Sequence, residues 1–205
     1  MTQRTSGIYG LLSSATIYQR LQSLTGRSST WGVFSDEHIR AKPGDRVLDI
    51  GCGTAHILDF LPDVEYFGFD PSEKYIARAR QRFGDRGAFW AERVSTATLD
   101  KVPACNLVLA IGVLHHLDDD EAGRLFALSR AALKNGGRLL TLDPCYTDNQ
   151  SRVARMLIGL DRGRNIRKAD EYEDLAASAF PQTRVTIRRD LLWIPWTHII
   201  LECER

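Results

Sequence analysis

A glycine-rich turn behind a run of apolar residues is the feature that most constrains the fold of this chain. Residues 47–55 read VLDIGCGTA, which predicts a buried strand, a tight turn and a helix over about 54–61. Gly51 and Gly53 leave no side chain where the backbone must bend sharply and where a ligand can approach it closely. Such a unit is typical of doubly wound α/β folds, in which ligands bind at the carboxyl ends of the strands.

An acidic residue follows the next strand-like run. Asp70 comes directly after residues 66–69, at a spacing that suits a carboxylate binding both hydroxyls of a ribose. A dinucleotide fingerprint requires a third glycine or small residue, but His56 stands at that position. Asp49, two residues before the first glycine, would repel a pyrophosphate and attract an ammonium group. These features favour S-adenosylmethionine, which carries an ammonium group, a sulfonium and a ribose but no phosphate.

Four segments, in order along the chain, resemble the motifs of class I S-adenosylmethionine-dependent methyltransferases. They are VLDIGCGTA (47–55), FGFDPS (67–72), NLVLAIGVLHHLDD (106–119) and LKNGGRLLTLDP (133–144). The resemblance implies an α/β fold with a doubly wound, mostly parallel seven-stranded sheet and an antiparallel C-terminal hairpin, the Rossmann-like methyltransferase fold. It also implies an enzyme that uses S-adenosylmethionine and releases S-adenosylhomocysteine.

The chain is predicted to form a single domain. Its 205 residues are enough for one domain with a full core. We expect one methyltransferase domain over residues 1–205, in which residues 1–44 form an N-terminal helical lid. Residues 45–145 would form the cofactor-binding half, and residues 146–205 the substrate-side half.

The resemblance places the cofactor site at the ends of the first, second and fourth strands. The residues it implies are Asp49, Gly51, Cys52, Gly53, Asp70, Pro71, Ala110 and Ile111. The glycine turn would pass under the methionine end of the cofactor, with Asp49 facing the ammonium group. Asp70 would bind the ribose, and Pro71 would lie beside the adenine. The backbone at Ala110 and Ile111 would hold the methionine amine.

One position of the family pattern differs in this chain. After the third strand, related enzymes place an acidic residue and then a small one, and both bind the adenine. Here these positions fall on Arg93 and Val94, and arginine cannot accept a hydrogen bond. Either Glu92 takes the place of the acidic residue, or the backbone at Val94 recognises the adenine.

Two adjacent histidines lie in the turn after the fourth strand. His115 and His116 would border the open edge of the cofactor pocket, where an imidazole can take a proton from a hydroxyl or amine as it is methylated. The alternative is a structural role, with one histidine packed and the other facing solvent. Some O-methyltransferases that resemble this chain bind a divalent metal through carboxylates around this turn. Here Gly112 and His115 replace those carboxylates, so no metal is expected.

Aromatic and basic residues are candidates for binding the methyl acceptor. Tyr9 and Tyr18 belong to the predicted lid, where an aromatic face can rest near the sulfonium. A basic cluster follows the fifth strand, where the family inserts its substrate-recognition elements; it comprises Arg152, Arg155, Arg162, Arg164, Arg167 and Lys168. Arg162 and Arg164 carry guanidinium groups that suit phosphate or carboxylate. We therefore expect a small-molecule substrate, preferably an anionic metabolite. Packing contacts and a solvated helix face are the alternatives.

Charge and composition exclude several classes of partner. With 27 basic and 26 acidic residues, the net charge is +1, so the chain lacks the strong positive field of a nucleic-acid-binding protein. No run approaches the roughly 18 apolar residues of a membrane span, and we expect no signal peptide. The four cysteines form no CxxC pair, as expected of buried thiols in a reducing cytoplasm. A monomer or homodimer is expected.

Three other functions compete with small-molecule methylation. An RNA or protein methyltransferase would want a broader basic surface, an added binding domain or a signature such as NPPY after the fourth strand, where residues 110–113 read AIGV. A protein that binds the cofactor without catalysis is equally compatible with Asp49 and Asp70. A nicotinamide oxidoreductase is disfavoured by His56 and by the closing hairpin.

Overall fold

The structure, a computed structural model, describes residues 28–205. Within them, the strands are β1 Arg46–Ile50, β2 Glu65–Phe69, β3 Gly87–Trp90, β4 Cys105–Ile111, β5 Leu133–Pro144, β6 Thr183–Arg188 and β7 His198–Glu204. The helices are α1 Ser28–Phe34, α2 Glu73–Phe83, α3 Thr96–Leu99, α4 Asp119–Ala132, α5 Arg152–Gly159 and α6 Ala169–Ala177. Shorter turns are the π-helical Ser35–Ile39 and the 3-10 turns His56–Phe60 and Leu114–His116. Tyr9, Tyr18 and most of the predicted lid lie outside the described residues.

The strands form one seven-stranded sheet in the order β3-β2-β1-β4-β5-β7-β6. The strands from β3 to β5 are parallel, whereas β7 is antiparallel to both β5 and β6. This arrangement confirms the predicted doubly wound sheet with its antiparallel closing hairpin. The strand order reverses between β1 and β4, and the crossovers leave that point in opposite directions. A crevice therefore opens at the carboxyl ends of these strands, where such sheets bind ligands.

The sheet is buried on both faces because its central parallel strands carry apolar side chains on both sides. On one face, α4 and α6 pack through Phe126 and Tyr172. On the other face, α1 and α2 pack through Phe34 and Ile76. All four side chains are at most 1% exposed. The helices thus fill both faces and leave the carboxyl edge of the sheet for the polar residues described below.

The segment after the glycine turn differs from the helix predicted over 54–61. It forms the 3-10 turn His56–Phe60. Ala55, directly before it, has a φ of 56°, a left-handed conformation that interrupts α-helical hydrogen bonding. Ile57 and Leu58 are buried, so their packing against the core holds this short turn in place.

In the described part of the chain, no helix combines the length and the apolar character that crossing a membrane requires.

Candidate active site

The glycine turn after β1 is held against the end of β2 and the segment after β4. The backbone N–H groups of Gly51 and Cys52 donate to the carbonyl of Phe69, at 2.7 and 3.1 Å. Gly51 has a φ of 75°, and a Cβ built on it would lie 2.7 Å from Cγ2 of Val113, so glycine is required there. A Cβ built on Gly53 would meet no atom of residues 28–205 within 4 Å. The backbone at Gly53 is therefore open to a close approach by a ligand.

Asp70 ties this turn to the start of α2. Its Oδ2 accepts a hydrogen bond from the N–H of Gly53 at 3.1 Å, and its Oδ1 accepts one from the N–H of Ser72 at 2.8 Å. Burial raises the pKa of Asp70, and the two backbone hydrogen bonds oppose that rise. Each carboxylate oxygen can accept a further hydrogen bond. Asp70 can therefore hold the turn and bind a ligand hydroxyl at the same time. Pro71, next to it, is exposed.

Asp49 is a second buried carboxylate beside the turn. It is only 2% exposed, and the hydroxyl of Tyr66 on β2 donates to its Oδ2 over 2.5 Å. Burial raises the pKa of Asp49 to about 7, the hydrogen bond from Tyr66 lowers it, and the nearby charge of Asp70 raises it. Within residues 28–205, neither Asp49 nor Asp70 forms an ion pair with a basic side chain. The turn is thus flanked by two acidic groups that have no positive partner in the described part of the chain.

This arrangement fits a cationic ligand better than a pyrophosphate. A phosphate-binding turn offers free N–H groups at the start of an α-helix, whose dipole favours an anion. Here the N–H of Gly53 already donates to Asp70, and a five-residue 3-10 turn follows in place of an α-helix. Two carboxylates would also repel a phosphate. The residues present therefore fit the ammonium and sulfonium groups of S-adenosylmethionine.

The other predicted cofactor residues of the strand ends line the same region. Ala110 and Ile111 end β4, where Ala110 is buried and Ile111 half-buried. The next N–H, that of Gly112, donates to the carbonyl of Leu142 at 2.7 Å, which fixes the course of the backbone beyond β4. The half-buried thiol of Cys52 has a pKa raised by burial, so it is a neutral group at the floor of the turn.

The structure places the side chain of Arg93 away from the glycine turn. Its Nη1 lies 3.3 Å from Oε1 of Glu121, in the first turn of α4. Glu92, the alternative adenine ligand, accepts a hydrogen bond from Lys101 at 2.6 Å. Val94 is half-buried and packs against the core. The side chains of Arg93 and Glu92 are already paired with other residues. Val94 would instead bind the adenine through its backbone.

His115 lies between two carboxylates. It is 5% exposed, and its Nδ1 lies 2.7 Å from Oδ1 of Asp143, at the end of β5. Its Nε2 lies 3.4 Å from Oδ1 of Asp161. Burial alone would lower the pKa of His115, but Asp143 and Asp161 outweigh it and raise the pKa to about 9. The ring is therefore a cation at neutral pH and cannot accept a proton there.

His116 has the opposite character. Its ring centroid lies 3.9 Å from that of His115. Burial and the charge of His115 lower the pKa of His116 to about 3, so its ring is neutral. Its buried Nδ1 makes no hydrogen bond to any residue in the described part of the chain. Of the two predicted histidines, only His116 is neutral at neutral pH, but a pKa of about 3 makes it a weak base.

The basic cluster is divided by the structure. Arg167 is only 7% exposed and donates to the carbonyls of Leu114 and Leu117, at 3.1 and 2.7 Å. It also pairs with Asp119 at 2.7 Å, so it braces the turn that carries the histidines. Arg164 is exposed and Arg162 half-buried. These two predicted acceptor ligands lie in the same loop as Arg167, beside the histidine pair.

Sequence reasoning missed three residues of this site. Tyr66 lies in the strand-like run 66–69, where nothing in the pattern indicates that its hydroxyl donates a hydrogen bond to Asp49. Asp143 belongs to the fifth-strand motif, where its position at a strand end was the available signal. Asp161 lies in the arginine-containing turn, and nothing in its spacing pointed to His115. Within residues 28–205, no group of three or more His, Cys, Asp or Glu residues is placed to hold a metal ion.

Comparisons with known proteins find similarity to methyltransferases. Residues 48–139 match a family model described as a methyltransferase domain. A relative from Geobacillus sp. (strain WCH70), described as an uncharacterized methyltransferase, is 27% identical over 115 residues, which are 55% of this chain and 54% of that protein. An uncharacterized protein from Synechococcus sp. is 32% identical over 97 residues, 42% of this chain and 23% of that protein. The matched part thus spans about half of the first relative and less of the second.

Solved structures share the fold at low sequence identity. An O-methyltransferase family protein from Burkholderia thailandensis aligns with a TM-score of 0.67 at 17% identity, over 92% of this chain and 57% of that chain. Human N-acetylserotonin methyltransferase in complex with SAM aligns with a TM-score of 0.66 at 16% identity, over 98% and 60%. Geranyl diphosphate methyltransferase in complex with GPP and sinefungin aligns with a TM-score of 0.65 at 16% identity, over 86% and 77%.

Proposed function

We propose that this chain, whose residues 48–139 match a methyltransferase domain, is a class I S-adenosylmethionine-dependent methyltransferase that transfers a methyl group to a small molecule. One observation carries the proposal. Asp49 and Asp70 are buried beside the glycine turn, and neither has a basic partner among residues 28–205. A bound ammonium or sulfonium would compensate this negative charge, whereas a phosphate would add to it.

The acceptor is proposed to be small and anionic. Arg162 and Arg164 lie in one loop beside the histidine pair, and guanidinium groups bind carboxylates and phosphates through paired hydrogen bonds. A fold-level relative is named for geranyl diphosphate, an anionic compound, so the fold is compatible with such an acceptor. The chain has nearly equal numbers of basic and acidic residues, which gives no support to an RNA or protein acceptor.

The residues are proposed to act mainly by binding and orientation. When bound, S-adenosylmethionine supplies an already activated methyl group on its sulfonium. Asp49 would hold the ammonium and Asp70 the ribose, while Val94 and Pro71 would border the adenine. Holding the acceptor in line with the methyl carbon, about 3 Å away, supplies much of the acceleration. At neutral pH neither histidine is suited to take a proton from the acceptor, because the ring of His115 is already protonated and the low pKa of His116 makes it a weak base.

Calorimetric titration with two ligands tests this function. We expect saturable binding of S-adenosylhomocysteine and no measurable binding of NADH at the same concentrations, because the carboxylates repel the pyrophosphate. Binding of NADH with no binding of S-adenosylhomocysteine would contradict the proposal and would favour a nicotinamide oxidoreductase. The titration needs no acceptor, so it tests the cofactor alone.

The pH dependence of cofactor binding follows from Asp49. Its pKa of about 7 means that it is mostly protonated at pH 6 and mostly ionised at pH 8. Only the ionised form attracts the ammonium group, so the affinity for S-adenosylhomocysteine should rise by up to about tenfold over this interval. Calorimetry at several pH values measures the rise.

Asp49→Asn provides the control, because the side chain keeps its size and loses its titration. We expect weaker binding whose pH dependence between 6 and 8 is lost. An unchanged pH dependence in this variant would show that another group is responsible.

A further inference from the structure

A set of contacts joins the loop 161–167, here named the acceptor loop, to His115. The Nε2 atom of His115 lies 3.4 Å from Oδ1 of Asp161. The backbone carbonyl of His115 accepts a hydrogen bond from the N–H of Asn165 at 3.1 Å. The same Asp161 oxygen accepts from the N–H of Gly163 at 2.7 Å. His115 thus contacts the loop through its ring and through its backbone.

Gly163 lets the loop approach the ring closely. A Cβ built on Gly163 would lie 2.2 Å from Cδ2 of His115 and 2.6 Å from its carbonyl oxygen. Real atoms do not approach so closely, and the carbonyl belongs to the backbone and cannot swing away. Any side chain at this position would therefore push the acceptor loop off the histidine.

The far side of His115 is anchored to the sheet. Asp143 Oδ1 faces Nδ1 of the ring at 2.7 Å and also accepts the backbone N–H of His115 at 3.2 Å. Asp143 is 1% exposed and belongs to β5. A protonated ring donates from both nitrogens, so it can bond Asp143 and Asp161 at once and bridge the sheet to the loop.

From this geometry we infer that His115 is a positioning residue, a cationic latch that fastens the acceptor loop to the end of β5, and that it is not the proton acceptor. Arg167 fixes one end of the loop to the carbonyls of Leu114 and Leu117. Asp161 and His115 fix the other end. Arg162 and Arg164 lie between the two anchors, so the latch sets where these guanidinium groups stand. Their role in binding the acceptor rests on the proposed function, whereas the latch itself does not.

Several charged or titratable groups surround the latch. Asp143 on β5 and Asp161 in the loop raise the pKa of His115 to about 9. His116 in the same turn is neutral, as is His198 at the start of β7, whose pKa burial lowers to about 4. Arg167 is the cation that bonds the carbonyl before His115. Since the folded-state pKa of His115 is raised above 6.5, the latch is fully formed below that pH and is lost as pH rises through about 9.

Limited trypsin digestion of the full chain tests the latch, because the peptide bonds after Arg162 and Arg164 lie in the acceptor loop. In Asp161→Asn and in Gly163→Ala, cleavage at these bonds should be at least about tenfold faster than in the wild type, since one charge-assisted contact or the close packing is lost. Asp190→Asn and Gly123→Ala are the controls. Asp190 pairs with Arg188 at the surface, and a Cβ on Gly123 meets no described atom within 4 Å.

Two further measurements separate a latch from a merely structural role. Histidine NMR should show His115 titrating near pH 9 in the wild type and at lower pH in Asp161→Asn. The rate of hydrogen exchange at the backbone amides of Gly163 and Asn165, divided by the intrinsic exchange rate, should rise between pH 8 and 10 in the wild type. In Asp161→Asn it should not rise over this interval.

The inference is overturned if cleavage at the two loop bonds does not increase, or increases equally at sites throughout the chain. A titration of His115 near its ordinary value would overturn it too. These results need no cofactor, so they are independent of whether the wild type binds S-adenosylhomocysteine.

Discussion

Replacing Asp70 with alanine is expected to weaken the binding of S-adenosylhomocysteine at least tenfold, which is about 1.4 kcal/mol. The carboxylate accepts the N–H groups of Gly53 and Ser72, so its removal loosens the glycine turn and the start of α2. It also removes the proposed partner of the ribose hydroxyls. Both losses act on the same ligand, and calorimetric titration of the wild type and the variant measures their sum.

Glu65→Ala is the matched control for this experiment. Glu65 lies at the opposite end of β2 and pairs with Arg46 in an exposed ion pair, so its loss should leave the affinity unchanged. Asp70→Asn adds a second comparison, since the amide keeps the size and one acceptor oxygen. An affinity for S-adenosylhomocysteine that is the same in wild type and Asp70→Ala would refute the assignment of Asp70 to the cofactor site.

The largest effect on stability is expected from Arg167→Ala, which should lower the free energy of unfolding by about 3 kcal/mol. The guanidinium is almost fully buried and bonds the carbonyls of Leu114, Leu117 and Asn165. Alanine would leave these acceptors without their donor inside the protein. It would also remove the buried aliphatic stem of the arginine. Urea denaturation followed by circular dichroism measures the change.

Arg164→Ala tests whether the loss of stability in Arg167→Ala comes from the buried contacts of Arg167 or only from the removal of a positive charge. Arg164 belongs to the same basic cluster and is exposed, so its replacement should leave the free energy of unfolding nearly unchanged. Once an acceptor is known, Arg164→Ala should raise its KM. If both variants lose the same stability, the cluster acts through net charge and the bracing role of Arg167 is wrong.

The fold was predictable because the signals for it are local. The apolar run before Gly51, the two glycines and the acid after β2 lie within two dozen residues, and each predicts one feature of a parallel sheet with a ligand edge. The closing hairpin was predictable because the four ordered motifs resemble a family whose sheet ends in such a hairpin. The 3-10 turn after Ala55 was not, because the left-handed backbone and the packing of Ile57 and Leu58 override the helical pattern.

The histidine pair shows where a local pattern is insufficient. The sequence predicts a base at either His115 or His116, because imidazole side chains have the same intrinsic chemistry. Their pKa values lie on opposite sides of neutral, about 9 and about 3. The difference comes from Asp143 and Asp161, which lie 28 and 46 positions away from His115 in the sequence and meet it only in the folded chain.

Sequence alone determined the sheet and the position of the glycine turn, because backbone conformation and strand burial depend on residues close together in the chain. Tertiary structure alone decided how each charged group behaves. Tyr66 bonds Asp49, Asp161 meets His115, and Arg167 is buried while Arg164 is exposed. The physical reason is that a side chain's pKa and its hydrogen-bonding partners depend on burial and on charges a few ångströms away, and long-range packing brings those groups together.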